Sequence, residues 1–120
     1  MSKLLVHIVT GPENPTRAAL GLLVARTALE AGHDVDLFLA GDAVGLLRPE
    51  TLDAGNGIGT GSLREHVDAL AENGATFYLS GMSSKARGVT AETLGGLGVT
   101  MAMPAKLVEL AFEADRVLTY

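Results

Sequence analysis

The stretch Leu4-Leu5-Val6-His7-Ile8-Val9-Thr10-Gly11-Pro12-Glu13-Asn14-Pro15 decides the fold. Leu4 to Val9 is an apolar run rich in β-branched residues, suited to a central strand buried on both faces. Asn14 then offers an N-cap and Pro15 a first helical residue whose missing N–H costs nothing at that position. A buried strand, a short stiff loop and a helix start form the opening unit of a parallel α/β protein.

The same alternation runs on down the chain. The helix opened by Pro15 is expected to reach about Ala31, with Gly32 ending it, and is apolar on most of its circumference, so that one side meets the sheet and another a neighbouring subunit. Asp34 to Ala40 reads as the second strand, and Asp42 as the cap of a short helical turn through Leu47. Arg48 to Gly61, with glycines at 55, 57, 59 and 61, reads as loop. Ser62-Leu63-Arg64-Glu65 is a capping box that opens a helix carrying Leu63, Val67 and Leu70 on one side. Thr76 to Ser80 is expected as the third strand, followed by a short helix around Ser83 to Arg87 and a weak one capped by Thr90. Val99 to Met103 is the fourth strand, Pro104 starts the last helix through Ala114, and Arg116 to Tyr120 supplies the fifth strand. One domain, residues 1–120, is expected, with no linker or repeat.

Composition narrows the function classes. The chain has no cysteine, which removes disulfides, thiolate nucleophiles and thiolate metal ligands. Its net charge of −5 and the lack of a basic stripe argue against nucleic-acid binding, which needs clustered Lys and Arg. Hydrophobic residues make up 48% and charged residues 19%, a charge-poor surface that predicts a homo-oligomer. The most apolar segment, Ala18 to Leu29, is interrupted by Gly21, Arg26 and Thr27 and is too short to span a bilayer. No cleavage-like site follows an apolar leader. A soluble cytoplasmic protein is therefore expected, with no membrane partner.

In a parallel sheet the strand-to-helix connections share the carboxyl edge, where ligands of such folds bind. Thr10 to Thr16, Gly41-Asp42, Ser80 to Ser84 and Met101 to Pro104 are all connections of this kind, and they are expected to converge on one pocket. Gly81 lets backbone approach a ligand closely. Ser83 and Ser84 either cap a helix or turn their hydroxyls outward, and Lys85 and Arg87 add positive charge. Two readings stay open here: an anion site, or serines that only cap, a solvated Lys85 and a structural Arg87. The glycines at 55 to 61 match neither dinucleotide nor P-loop spacing, so no nucleotide cofactor is expected. His7, His33 and His66 form no metal-ligand pair; His7 is expected as a satisfied core or edge residue, and His33 as a favourable cation at a helix end. Ser80-Gly81-Met82-Ser83 is not a nucleophile elbow, and no His and acid can be paired with it.

The order of elements, the Thr10-Gly11-Pro12-Glu13-Asn14-Pro15 loop, Phe38-Leu39-Ala40-Gly41-Asp42 and Ser80-Gly81-Met82-Ser83-Ser84-Lys85-Ala86-Arg87-Gly88 together resemble the DsrE/DsrF-like family over nearly the whole chain. The resemblance implies a flavodoxin-like three-layer α/β/α sandwich with a mostly parallel five-stranded sheet, a cytoplasmic location, and assembly into dimers, trimers or hexamers. Sulfur-relay members carry one or two cysteines after the third or fourth strand and pass sulfur as a persulfide. A cysteine-bearing form of the segment resembles C-x-x-C-x-x-A-R-G. On this chain the cysteines fall at Ser80 and Ser83, while Ala86, Arg87 and Gly88 match. A hydroxyl cannot hold a persulfide, because its pKa is far above that of a thiol and oxygen lacks the exchange chemistry.

The reading is therefore a non-catalytic, cofactor-free protein of this kind. It binds a small anionic ligand or a partner protein at the carboxyl edge through Thr10, Asn14, Asp42, Ser80, Gly81, Ser83, Ser84, Lys85 and Arg87. The alternatives are a sulfur-relay-associated enzyme or a structural subunit paired with a cysteine-bearing paralogue.

Overall fold

The computed structural model describes residues 2–120. Strand β1 (Lys3–Ile8) leads through the proline loop into α1 (Pro15–Glu30), where the Asn14 side chain accepts from Arg17 N–H at 3.1 Å. Strand β2 (Asp34–Leu39) follows, then a 3-10 segment (Gly41–Leu47), α2 (Pro49–Ala54), the two-residue strands β3 (Asn56–Gly57) and β4 (Gly61–Ser62), and α3 (Leu63–Glu72). Strand β5 (Thr76–Ser80), α4 (Gly81–Arg87), a 3-10 turn (Ala91–Leu94), β6 (Thr100–Ala102), α5 (Pro104–Glu113) and β7 (Arg116–Thr119) complete the chain.

The main sheet has the order β6-β5-β2-β1-β7, and every neighbouring pair in it is parallel. Three successive connections step from β1 outward to β6, and the last returns across the whole sheet to β7. Right-handed crossovers that travel in opposite directions must pass over opposite faces. The outward connections therefore pack on one face, where Val6, Ile8, Leu37, Leu39 and Leu79 meet Leu22, Leu63 and Leu70. The returning α5 lies alone on the other, where Leu5, Phe38 and Ala102 meet Leu110. Helices on both sides of a parallel sheet make the three-layer α/β/α architecture.

Two local expectations need correction. The stretch read as loop from Arg48 to Gly61 contains α2 and the antiparallel β3–β4 pair. Pro49 sets the first turn of α2 and Leu52, 3% exposed, anchors it to the core, while glycines at φ +74° (Gly59) and +90° (Gly61) turn the hairpin. Asp42 does not cap the 3-10 segment: the N-cap is Ala40, without a side-chain bond, and the Asp42 carboxylate turns to Arg87 instead. A long-range cation outcompeted the local backbone.

Candidate functional site

The carboxyl edge is held together by a chain of short contacts. Ser80 caps α4, its Oγ accepting from Ser83 N–H at 3.1 Å. The Ser83 Oγ in turn accepts from Gly41 N–H at 2.9 Å, which ties the end of β2 to α4. The Arg87 guanidinium donates to Ser83 C=O at 3.2 Å and to Asp42 Oδ1 at 3.1 Å, and Arg48 donates to the Arg87 carbonyl at 2.9 Å. Gly11 presses on the Asp42 carbonyl so closely that a Cβ would overlap it, which seats the β1 loop on the same cluster. Thr10, half-buried, follows β1 at the base of this loop.

The predicted residues thus fall into three groups. Asp42, Ser80, Ser83 and Arg87 are joined directly, but their polar atoms bond one another and the backbone. Asn14 is an exposed cap of α1, tied to the loop by its own N–H donating to Gly11 C=O at 3.1 Å. Gly81, Ser84 and Lys85 face a different space, an open apolar trough completed by Val89, Thr90 and Met101. Ser84 is 2% exposed and its Oγ has no hydrogen-bond partner, so it is neither a cap nor an outward hydroxyl. Lys85 is exposed, with no carboxylate partner among the described residues. At the topological switch, where the connection after β5 passes over one face and that after β6 over the other, Gly81 approaches Ala102 C=O and Met103.

A cavity of about 400 Å³ opens beside the β1 loop. Pro12, Pro15, Ala54 and Leu63 supply its apolar walls, and Glu50, Thr51 and Asn56 its polar groups. Of these only the two prolines belong to the strand-to-helix connections expected to converge on a pocket. The signal available for the rest was Pro49-Glu50, a helix start inside the supposed loop.

The histidines do other work. His66 is buried; its Nε2 lies 2.7 Å from Thr60 C=O and its Nδ1 3.5 Å from Arg26 Nη1. A carbonyl can only accept and a guanidinium can only donate, so His66 is the neutral Nε2–H tautomer, joining the hairpin to α1. His33 lies beyond the end of α1, and its Nδ1 accepts from Ser2 N–H at 3.4 Å. His7 is not satisfied as expected: its Nε2 is buried with no partner, and burial holds its pKa below the ordinary histidine value. Its ring meets the Phe38 ring edge-on at 6.0 Å, and Phe38 stacks on Tyr78 at 6.4 Å, all under the α5 side of the sheet. On that side Val9 and Val117 are each 43% exposed, Val108 is 55% exposed and Phe112 88%. Among the described residues no group of three or more His, Asp or Glu could hold a metal, and no helix is long and apolar enough to cross a membrane.

A family model described as the DsrE/DsrF-like family matches residues 3–120. Among solved structures, the ychN protein from E. coli superposes with a TM-score of 0.82 at 23% identity, over 100% of both chains. The protein of unknown function MTH1491 from Methanobacterium thermoautotrophicum reaches 0.76 at 15% identity, again over 100% of both chains. The conserved protein BT1422 from Bacteroides thetaiotaomicron reaches 0.74 at 18%, over 99% of this chain and 95% of the other. No curated protein matches the sequence. At these identities the structural likeness speaks to the fold.

Proposed function

We propose that this chain, which belongs to the DsrE/DsrF-like family, is a non-catalytic cytoplasmic member that acts by association and does not carry sulfur. One observation bears most of the weight. At the two positions where the relay pattern places thiols, the Ser80 and Ser83 hydroxyls are acceptors for backbone N–H groups of the site's own scaffold. They serve as structural ties, and among the described residues neither hydroxyl is hydrogen-bonded to a histidine or carboxylate that could activate it.

The partner favoured by the surface is a second copy of the chain, docked on the α5 side. Phe112 and Val108, one turn apart on α5, Val9 just after β1 and Val117 on β7 are each exposed apolar residues on the side of the sheet that carries His7. Light scattering at micromolar concentration should give a mass above that of the monomer, and Phe112→Glu should lower it. A monomeric parent protein would defeat this reading. Treatment with a persulfide donor, followed by intact mass measurement, should leave the mass unchanged.

A second reading, a small ligand at the carboxyl edge, is favoured by the 400 Å³ cavity beside the β1 loop. An anionic ligand at Ser80 to Arg87 has less support, since Asp42 neutralises Arg87 and Lys85 alone remains to meet it.

A further inference from the structure

The cavity beside the β1 loop has a charge pattern opposite to that of a phosphate or sulfate site. Glu50 is its only charged lining residue, is exposed, and has no cation within ion-pair distance among the described residues. Three arginines are engaged elsewhere: Arg48 donates to the Arg87 carbonyl at 2.9 Å, Arg64 pairs with Asp53 at 2.9 Å, and Arg87 with Asp42 at 3.1 Å. The polar groups beside Glu50 are the Thr51 hydroxyl and the Asn56 amide. The remaining lining is apolar and stiff, because Pro12 and Pro15 have fixed φ and Leu63 is fully buried.

The walls are also pinned to one another before any ligand arrives. Gly55 N–H donates to Thr51 C=O at 2.9 Å, and Leu63 N–H donates to Gly55 C=O at 3.1 Å, locking the end of α2 to the start of α3. Thr16 holds the hairpin from the other side, accepting from Ile58 N–H at 3.1 Å and, through its carbonyl, from the Thr60 hydroxyl at 3.0 Å. A rigid apolar slot whose one carboxylate, in the first turn of α2, has no side-chain cation partner among the described residues selects for charge sign: a cation gains Coulomb energy there and an anion loses it.

We propose that this cavity binds a small, flat, apolar molecule carrying an amine, amidine or other cationic donor, with the ring between the two prolines and Leu63 and the cation at Glu50. The proposal rests on the second reading above, a ligand site at the carboxyl edge, and specifies its chemistry. A neutral donor of the same shape binds less tightly, and a carboxylate least.

Three probes of equal size separate the possibilities: benzamidine, benzamide and benzoate, each titrated into the ¹⁵N-labelled protein while the amide signals of Thr51, Gly55 and Asn56 are followed. Benzamidine should shift these signals and bind about tenfold more tightly than benzoate, a ratio that corresponds to about 1.4 kcal/mol. Glu50→Gln should bring benzamidine to the level of benzamide and leave benzamide unchanged. Ala54→Phe, which fills the slot, should weaken all three, with the amide spectrum reporting that the fold is kept. Benzoate binding as tightly as benzamidine, or a preference that survives Glu50→Gln, would overturn the cationic class while leaving a ligand site. Failure of all three probes to move these amides would remove the ligand site itself.

Discussion

On one face of the sheet, α1, α3 and the 3-10 segment bury Val6, Ile8, Leu37, Leu39, Phe77 and Leu79 in a continuous core. On the other, α5 alone covers Leu5, Phe38 and Ala102, and Phe112 is left 88% exposed. The difference follows from strand order: handed crossovers send every outward step over one face and the single return over the other. The lesson is that topology rations cover before any side chain is chosen. The heavily covered face holds most of the buried core, and the thinly covered face keeps Val108, Phe112 and Val117 exposed.

Substitutions can break or sharpen this contrast. Leu22→Ala, a truncation inside the larger core, should cost about 2–5 kcal/mol in urea denaturation. Leu110→Ala, in the small cluster under α5, should fall at or below the bottom of that range; an equal cost would mean the two faces contribute alike. Between the faces, at the carboxyl edge, Ser83→Ala removes the acceptor of Gly41 N–H and should cost about 1–2 kcal/mol, measured the same way. No loss of stability there would show that Ser83 is not a structural tie and would reopen it as a functional hydroxyl.

The smallest effect is a pH dependence confined to the α5 side. Burial lowers the His7 pKa in the folded chain, so the unfolded chain takes up the proton first. Stability should therefore be greatest above the unfolded value of about 6.5 and decline as pH falls through it towards the lower folded value. Comparing urea midpoints at pH about 7.5 and about 5.5 in the parent and in His7→Leu should show a smaller decline in the variant. An unchanged decline would place the sensitive group elsewhere.

The layered fold could be read from the sequence because its signals are local. The β-branched run of β1, the Asn14-Pro15 start of α1 and the Ser62 cap of α3 each depend on residues a few positions apart. The site was legible only as an address. That Asp42 pairs with Arg87, and Ser83 with Gly41, depends on groups 45 and 42 residues apart, and no spacing rule distinguishes such partners from caps. The cavity was missed for a related reason: α2 is a six-residue helix held in place by Leu52 against a core that exists only once the sheet has formed.

The returning crossover also orders events in time. Ser2 meets His33 across 31 residues, but Lys3 meets Asp115 across 112, so closing the second loop costs roughly 1 kcal/mol more chain entropy than closing the first. Strands β1, β2 and β5 can therefore assemble as a folding nucleus with α1 and α3, with α5 and β7 joining afterwards. Until they do, the edge of β1 that β7 will pair with stands unpaired, and the side of the sheet that carries His7 and Phe38 stands uncovered.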